Sequence, residues 1–107
     1  VSVNAPPPCH VTFRFPPPGF FLNSPSVRLV LDDQWLIFRG SFVDGFHFAV
    51  PVAAGQHRLS IVLETGVFDR TKHHWLALQP GVAYDVLLEY SRFWGNFGDP
   101  KVTPLRG

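Results

Sequence analysis

The chain has 107 residues, 46% of them hydrophobic and 16% charged, with 11 Phe, 3 Trp, 11 Pro and no Met. That length supports one core and no second one of ordinary size, and a composition so apolar and aromatic excludes intrinsic disorder. A net charge of +1, with no run of Lys or Arg, gives no field to gather nucleic acid or an anionic membrane.

One cysteine, Cys9, excludes an internal disulfide and a Cys-rich zinc site. It fits a reducing, cytoplasmic setting, whereas a chain that begins at Val1 fits a processed, exported protein, so the compartment stays open. No stretch approaches the ~20 apolar residues of a membrane span.

Residues 1–9 are expected as a Pro-rich extended arm, residues 10–100 as the folded domain and residues 101–107 as a C-terminal tail that leaves it. Residues 10–15 alternate, with Val11, Phe13 and Phe15 on one side and Thr12 and Arg14 on the other, which predicts the first strand. Pro16, Pro17, Pro18 and Gly19 end it. The connection that follows, with Phe20 and Phe21, is more apolar than a solvated loop requires.

Residues 26–32 predict a second strand with Val27, Leu29 and Leu31 inward, and residues 35–40 a third after a tight turn at Asp32, Asp33 and Gln34. A turn at Val43, Asp44 and Gly45 leads to the fourth, where Phe46, Phe48 and Val50 alternate with His47 and Ala49. The clearest pattern comes next: after Pro51 and Gly55, residues Leu59, Ile61 and Leu63 fall on one face and Arg58, Ser60 and Glu64 on the other. Residues 72–79 predict a sixth strand. Pro80 and Gly81 turn into a seventh over 83–91, with Tyr84, Val86, Leu88 and Tyr90 on one face.

Strands at intervals of roughly ten residues, without a helical period anywhere, predict a single-domain antiparallel β-sandwich of about seven strands. Its expected core is Val27, Leu29, Leu31, Phe46, Phe48, Leu59, Ile61, Leu63, Leu76, Leu78, Val86 and Leu88. Three segments, Leu29-Val-Leu-Asp-Asp33, Val50-Pro-Val-Ala-Ala-Gly-Gln-His-Arg-Leu59 and Leu78-Gln-Pro-Gly-Val-Ala-Tyr84, together resemble the small PEGA-like and DUF2846-like bacterial β-sandwich modules. The sequence departs from their pattern with Ala54 in place of a proline and Asp33 in place of a glycine. The sandwich is expected to be Ig-like or transthyretin-like in build, and the resemblance implies an accessory or binding role without catalytic residues.

Five histidines raise a metal site, but His73 and His74 are adjacent on a strand and point to opposite faces. His47 and His57 can approach across strands, yet no Cys, Asp or Glu stands at ligand spacing beside them. No metal or other cofactor is expected. Cys9 with His10 is a formal nucleophile pair, but in a proline arm nothing activates the thiol, which reads as incidental or partner-facing. Asp32, Asp33 and Asp44 belong to turns, and Asn23-Ser24 is followed by Pro25, so it is no glycan acceptor.

The segment from Tyr90 to Phe97 stands out, because Tyr90, Phe93, Trp94 and Phe97 crowd a stretch that also holds Arg92, Gly95 and Asn96. Such rings either cap an open end of the sandwich, where they meet Phe20 and Phe21, or form a binding surface. The expected role is therefore a non-enzymatic protein-binding or assembly module. It uses Phe20, Phe21, Tyr90, Arg92, Phe93, Trp94, Asn96 and Phe97, with a protein partner or self-association; the alternative is a carbohydrate-binding module that stacks a sugar on Trp94.

Overall fold

Period-two patterning becomes a strand wherever the sequence shows it clearly. The computed structural model describes residues 8–19, 21, 25–66, 69–91 and 96–105. Among these it forms β1 (Cys9–Phe15), β2 (Ser26–Leu31), β3 (Trp35–Ser41), β4 (Phe46–Val52) and β5 (Gly55–Glu64). The second half forms β6 (Asp69–Leu78), β7 (Ala83–Leu87), β8 (Tyr90–Ser91), β9 (Asn96–Phe97) and β10 (Lys101–Leu105).

The first sheet has the order β10-β7-β1-β4 and the second β3-β2-β5-β6, while β8 and β9 pair as a short hairpin. Every pairing is antiparallel except that of β1 with β7, which run parallel. The inward residues of both sheets meet in one cluster: Val11, Phe13, Tyr84 and Val86 from the first sheet, Leu29, Leu31, Leu59, Ile61 and Leu76 from the second. Burying each large side chain there contributes about 1.5–3 kcal/mol.

The expected all-β sandwich stands, with refinements that have physical causes. All the expected core residues are buried except Phe46 and Phe48, which are half-buried on β4, an edge strand. There Phe38 of the opposite sheet covers them, with ring centroids 4.7 and 5.1 Å away. The seventh strand does not run unbroken to Ser91. It stops at Leu87, where the Leu88 N–H donates to the Arg14 carbonyl, and pairing resumes at Tyr90.

Residues 101–105, expected as part of an exit, pair along β7 as an edge strand. Cys9, assigned to the arm and read as a partner-facing thiol, instead starts β1 in the core, fully buried, with its Sγ donating to the Gln79 carbonyl at 2.9 Å.

Two turns fix where the strands go. Between β2 and β3, Asp32 and Asp33 both have positive φ (54° and 60°) and the Gln34 N–H donates to the Leu31 carbonyl, the mirror-image turn whose twist suits a hairpin. Between β3 and β4, a 3₁₀ turn at Phe42–Asp44 carries the chain from the second sheet to the first. Gly45 follows at φ 64°, and a Cβ there would lie 2.3 Å from the Phe15 carbonyl oxygen, so both conformation and space require glycine.

Candidate functional site: the aromatic end, an adjoining cleft and the open side of the second sheet

The 3₁₀ turn buries Phe42 at one end of the sandwich, and the aromatic segment closes over it. Phe42 lies 5.3 Å from Phe15, 5.0 Å from Phe21, 4.8 Å from Tyr90 and 5.8 Å from Phe97, centroid to centroid, mostly edge to face. Phe97 is 2% exposed. Edge-to-face pairs of this kind add about 0.5–1.5 kcal/mol each beyond the area they bury. Phe21, Tyr90 and Phe97, named from the sequence as contact residues, are thus brought together as a cap on the core. Phe20, Arg92, Phe93 and Trp94 lie outside the described residues.

Asn96 has a different setting. Its Oδ1 accepts from the Phe97 N–H at 2.9 Å, and with Lys72, Ser91, Phe97, Gly98 and Asp99 it lines a cleft of about 430 Å³ between β6 and the β8–β9 hairpin. Beside this cleft, Asp99 Oδ1 stands 3.6 Å from Nδ1 of His74, whose side chain is only 10% exposed. The buried His74 Nε2 has no hydrogen-bond partner. Burial lowers the His74 pKa, and although the Asp99 charge opposes this, Lys72 and His73 reinforce it, so the ring is held neutral.

His73 does point the opposite way, as the sequence predicts: it is exposed, with Nδ1 2.7 Å from the Ser60 hydroxyl. His47 and His57 lie in different sheets and do not approach across a strand pair. Among the described residues no three His, Cys, Asp or Glu side chains gather as a metal-binding group, and no helix is long and apolar enough to cross a membrane.

At the other end of the second sheet, His57 ties two turns together. Its Nδ1 is 2.6 Å from Asp32 Oδ2 and its Nε2 is 2.7 Å from the Ala53 carbonyl oxygen. Both neighbours only accept, so the ring satisfies both contacts only when both nitrogens carry protons. Burial works against that charge, but the hydrogen bonds to Asp32 and Ala53, with the Asp32 charge, outweigh it and raise the pKa. Asp32 is lowered in turn, first by His57 and then by the Arg58 N–H. Arg58 also donates to Asp33 from its guanidinium.

The outer face of the second sheet carries what the sequence reading missed. Register places Leu36, Val30, Ser60 and His73 in one row across β3, β2, β5 and β6, and sets Trp75 opposite Arg58. Trp75 is 67% exposed and Leu36 50%. A signal for Trp75 was present: Lys72, His74, Leu76 and Leu78 share the inward phase of β6, so Trp75 falls on the outward one, with Thr71, His73 and Ala77.

The edges of the two sheets differ as well. The Asp32 N–H donates to the Arg58 carbonyl, so Arg58 turns its main chain toward β2, and by alternation Leu59 and Ile61 turn theirs toward β6. Their partners His74 and Lys72 therefore bond β5, while Thr71, His73, Trp75 and Ala77 direct their N–H and C=O groups off the end of the sheet. The same argument, from the Leu88 N–H bonded to the Arg14 carbonyl, turns Pro51 of β4 and Pro104 of β10 outward on the first sheet's two edges. There each removes a donor that an incoming strand would need.

On the second sheet, β3 has a register shift opposite Leu29 and Val30, whereas β6 pairs without a shift over all ten residues and contains neither proline nor glycine. Comparison of the chain with protein-family models, with curated proteins and with solved structures finds no match to any of them.

Proposed function

We propose that the protein is a non-enzymatic binding and assembly module whose contact surface is the outer face and free edge of the second sheet, centred on Trp75. The observation that carries this reading is Trp75 itself, on a regular ten-residue strand and, at 67%, the most exposed large hydrophobic side chain among the described residues. Exposed tryptophan is enriched at binding hot spots, and here it shares the outer face with Leu36, Val30, Arg58 and His73. The resemblance to PEGA-like modules supports the same accessory role.

The test is to select binding segments from a displayed peptide library and to compare the wild-type chain with Trp75→Ala and Leu36→Ala. A contact residue should leave the melting temperature unchanged while weakening association by about 2 kcal/mol, roughly thirtyfold. Association that is indifferent to both substitutions rejects the surface.

A carbohydrate-binding reading has its own support in the cleft beside Asn96, where an amide, the Lys72 ammonium and the Asp99 carboxylate line a space of about 430 Å³. Glycan-array binding lost in Asn96→Ala and Asp99→Ala, and retained in Trp75→Ala, would favour it.

A further inference from the structure

We propose that β6 is a dimerisation edge: two copies of this chain pair β6 to β6, antiparallel about a two-fold axis through His74, joining two four-stranded sheets into one of eight strands. This rests on the assembly reading above and names its partner. Three observations support it. Both edges of the first sheet have a proline turned outward and β3 has a register shift, so among the described strands β6 alone presents a long, regular run of main-chain donors and acceptors. Those groups alternate with residues already bonded to β5, and the same alternation on a second copy is complementary in an antiparallel pair. A net charge of +1 sets up almost no repulsion between copies.

The side chains choose the register. Outward-directed residues must meet outward-directed residues, so the axis passes through a residue rather than between two. An axis through Lys72 opposes two ammonium groups. One through His73 sets Lys72 against His74 and His73 against itself. One through His74 keeps residues 70–78 paired and sets Lys72 opposite Leu76, Arg70 opposite Leu78 and His73 opposite Trp75. The residues that meet at this axis, the two His74 rings, are the ones burial holds neutral. Axes closer to Leu78 shorten the overlap. In the chosen register each exposed Trp75 gains an imidazole and a strand neighbour, which removes much of its ring from water.

The experiment uses the whole chain. Sedimentation from about 1 μM to about 1 mM should show a monomer–dimer equilibrium. Ala77→Pro and Thr71→Pro remove only outward N–H groups, as Pro51 and Pro104 do on the other sheet; each should raise the dissociation constant at least about tenfold with the melting temperature nearly unchanged.

Thr71 and Ala77 are too far apart along one strand to bridge, but in this register each lies opposite the other residue of the second copy, within disulfide reach. A Thr71→Cys/Ala77→Cys chain should therefore form a covalent dimer on mild oxidation while neither single variant does; Cys9, buried, stays out of the exchange. A chain that remains monomeric throughout, or a dimer that neither proline variant weakens and the double cysteine does not trap, overturns the inference. If the chain is monomeric yet binds selected segments through Trp75, the module reading stands and the self-pairing falls. If nothing binds at all, both fall.

Discussion

The two four-stranded sheets share a core and differ in how they end. The first closes itself, with an outward proline on β4 and another on β10, and with Arg14 and Asp85 joined on its outer face by two hydrogen bonds of 2.7 Å. The second leaves a tryptophan and a ten-residue edge in the open. Neighbouring strand edges in one small domain are under the same pressure to avoid unwanted pairing, and the two sheets meet it differently: prolines on the first, and on β6 only the charged side chains of Arg70 and Lys72. The difference lies in single residues, and single substitutions can remove it.

The largest effects should come from what the sheets share. Phe42, fully buried where the chain passes from one sheet to the other, should cost about 3–5 kcal/mol when replaced by Ala, and Ile61, central in β5, about 2–5 kcal/mol. Chemical denaturation would measure both. A loss under ~1 kcal/mol at Ile61 would mean that the second sheet does not rest on the common core.

Next in size is a reversal of the guard. Pro104→Thr restores an N–H to the open edge of β10 while leaving its pairing with β7 intact. Light scattering should then show association of a kind that Ala77→Pro does not suppress, because it uses the other sheet. If Pro104→Thr behaves as wild type, the proline is not what keeps that edge single. At the small end, Trp75→Ala should change folding stability by no more than about 0.5 kcal/mol, since most of its ring is already in water.

How much of this was legible in the sequence follows the same division. The core was legible because burial imposes a period of two: Val27, Leu29, Leu31, Leu59, Ile61, Leu63, Leu76 and Leu78 are all inward and buried. A strand exposed along its whole length was not. Every residue of β10 is exposed and Pro104 interrupts its pattern, so nothing in residues 101–105 announces a strand.

The aromatic segment was legible as a feature and ambiguous as a site, because rings that cap a core and rings that bind a partner have the same composition. Contacts to Phe42 decide for Phe21, Tyr90 and Phe97. Trp75 shows the reverse case: its place in the outward phase was readable, but exposure depends on what lies over a sheet, and sequence alone does not contain that.

The smallest effect, and the most specific to the second sheet, is its response to pH, because two of its histidines have opposite demands. His57 needs its proton to satisfy Asp32 and Ala53, and its pKa is raised in the fold. Its contribution is therefore complete below the unfolded value of about 6.5 and is lost as pH rises through the higher folded value. His74 is held neutral by burial and its pKa is lowered. Its contribution is complete above about 6.5 and is lost as pH falls through the lower folded value. Together they place a shallow stability maximum near pH 6.5. Melting temperatures recorded from pH 5 to 8.5 should show His57→Gln removing the decline on the alkaline side and His74→Gln removing the decline on the acid side. If both substitutions flatten the same limb, one of the two rings is not in the state its neighbours dictate.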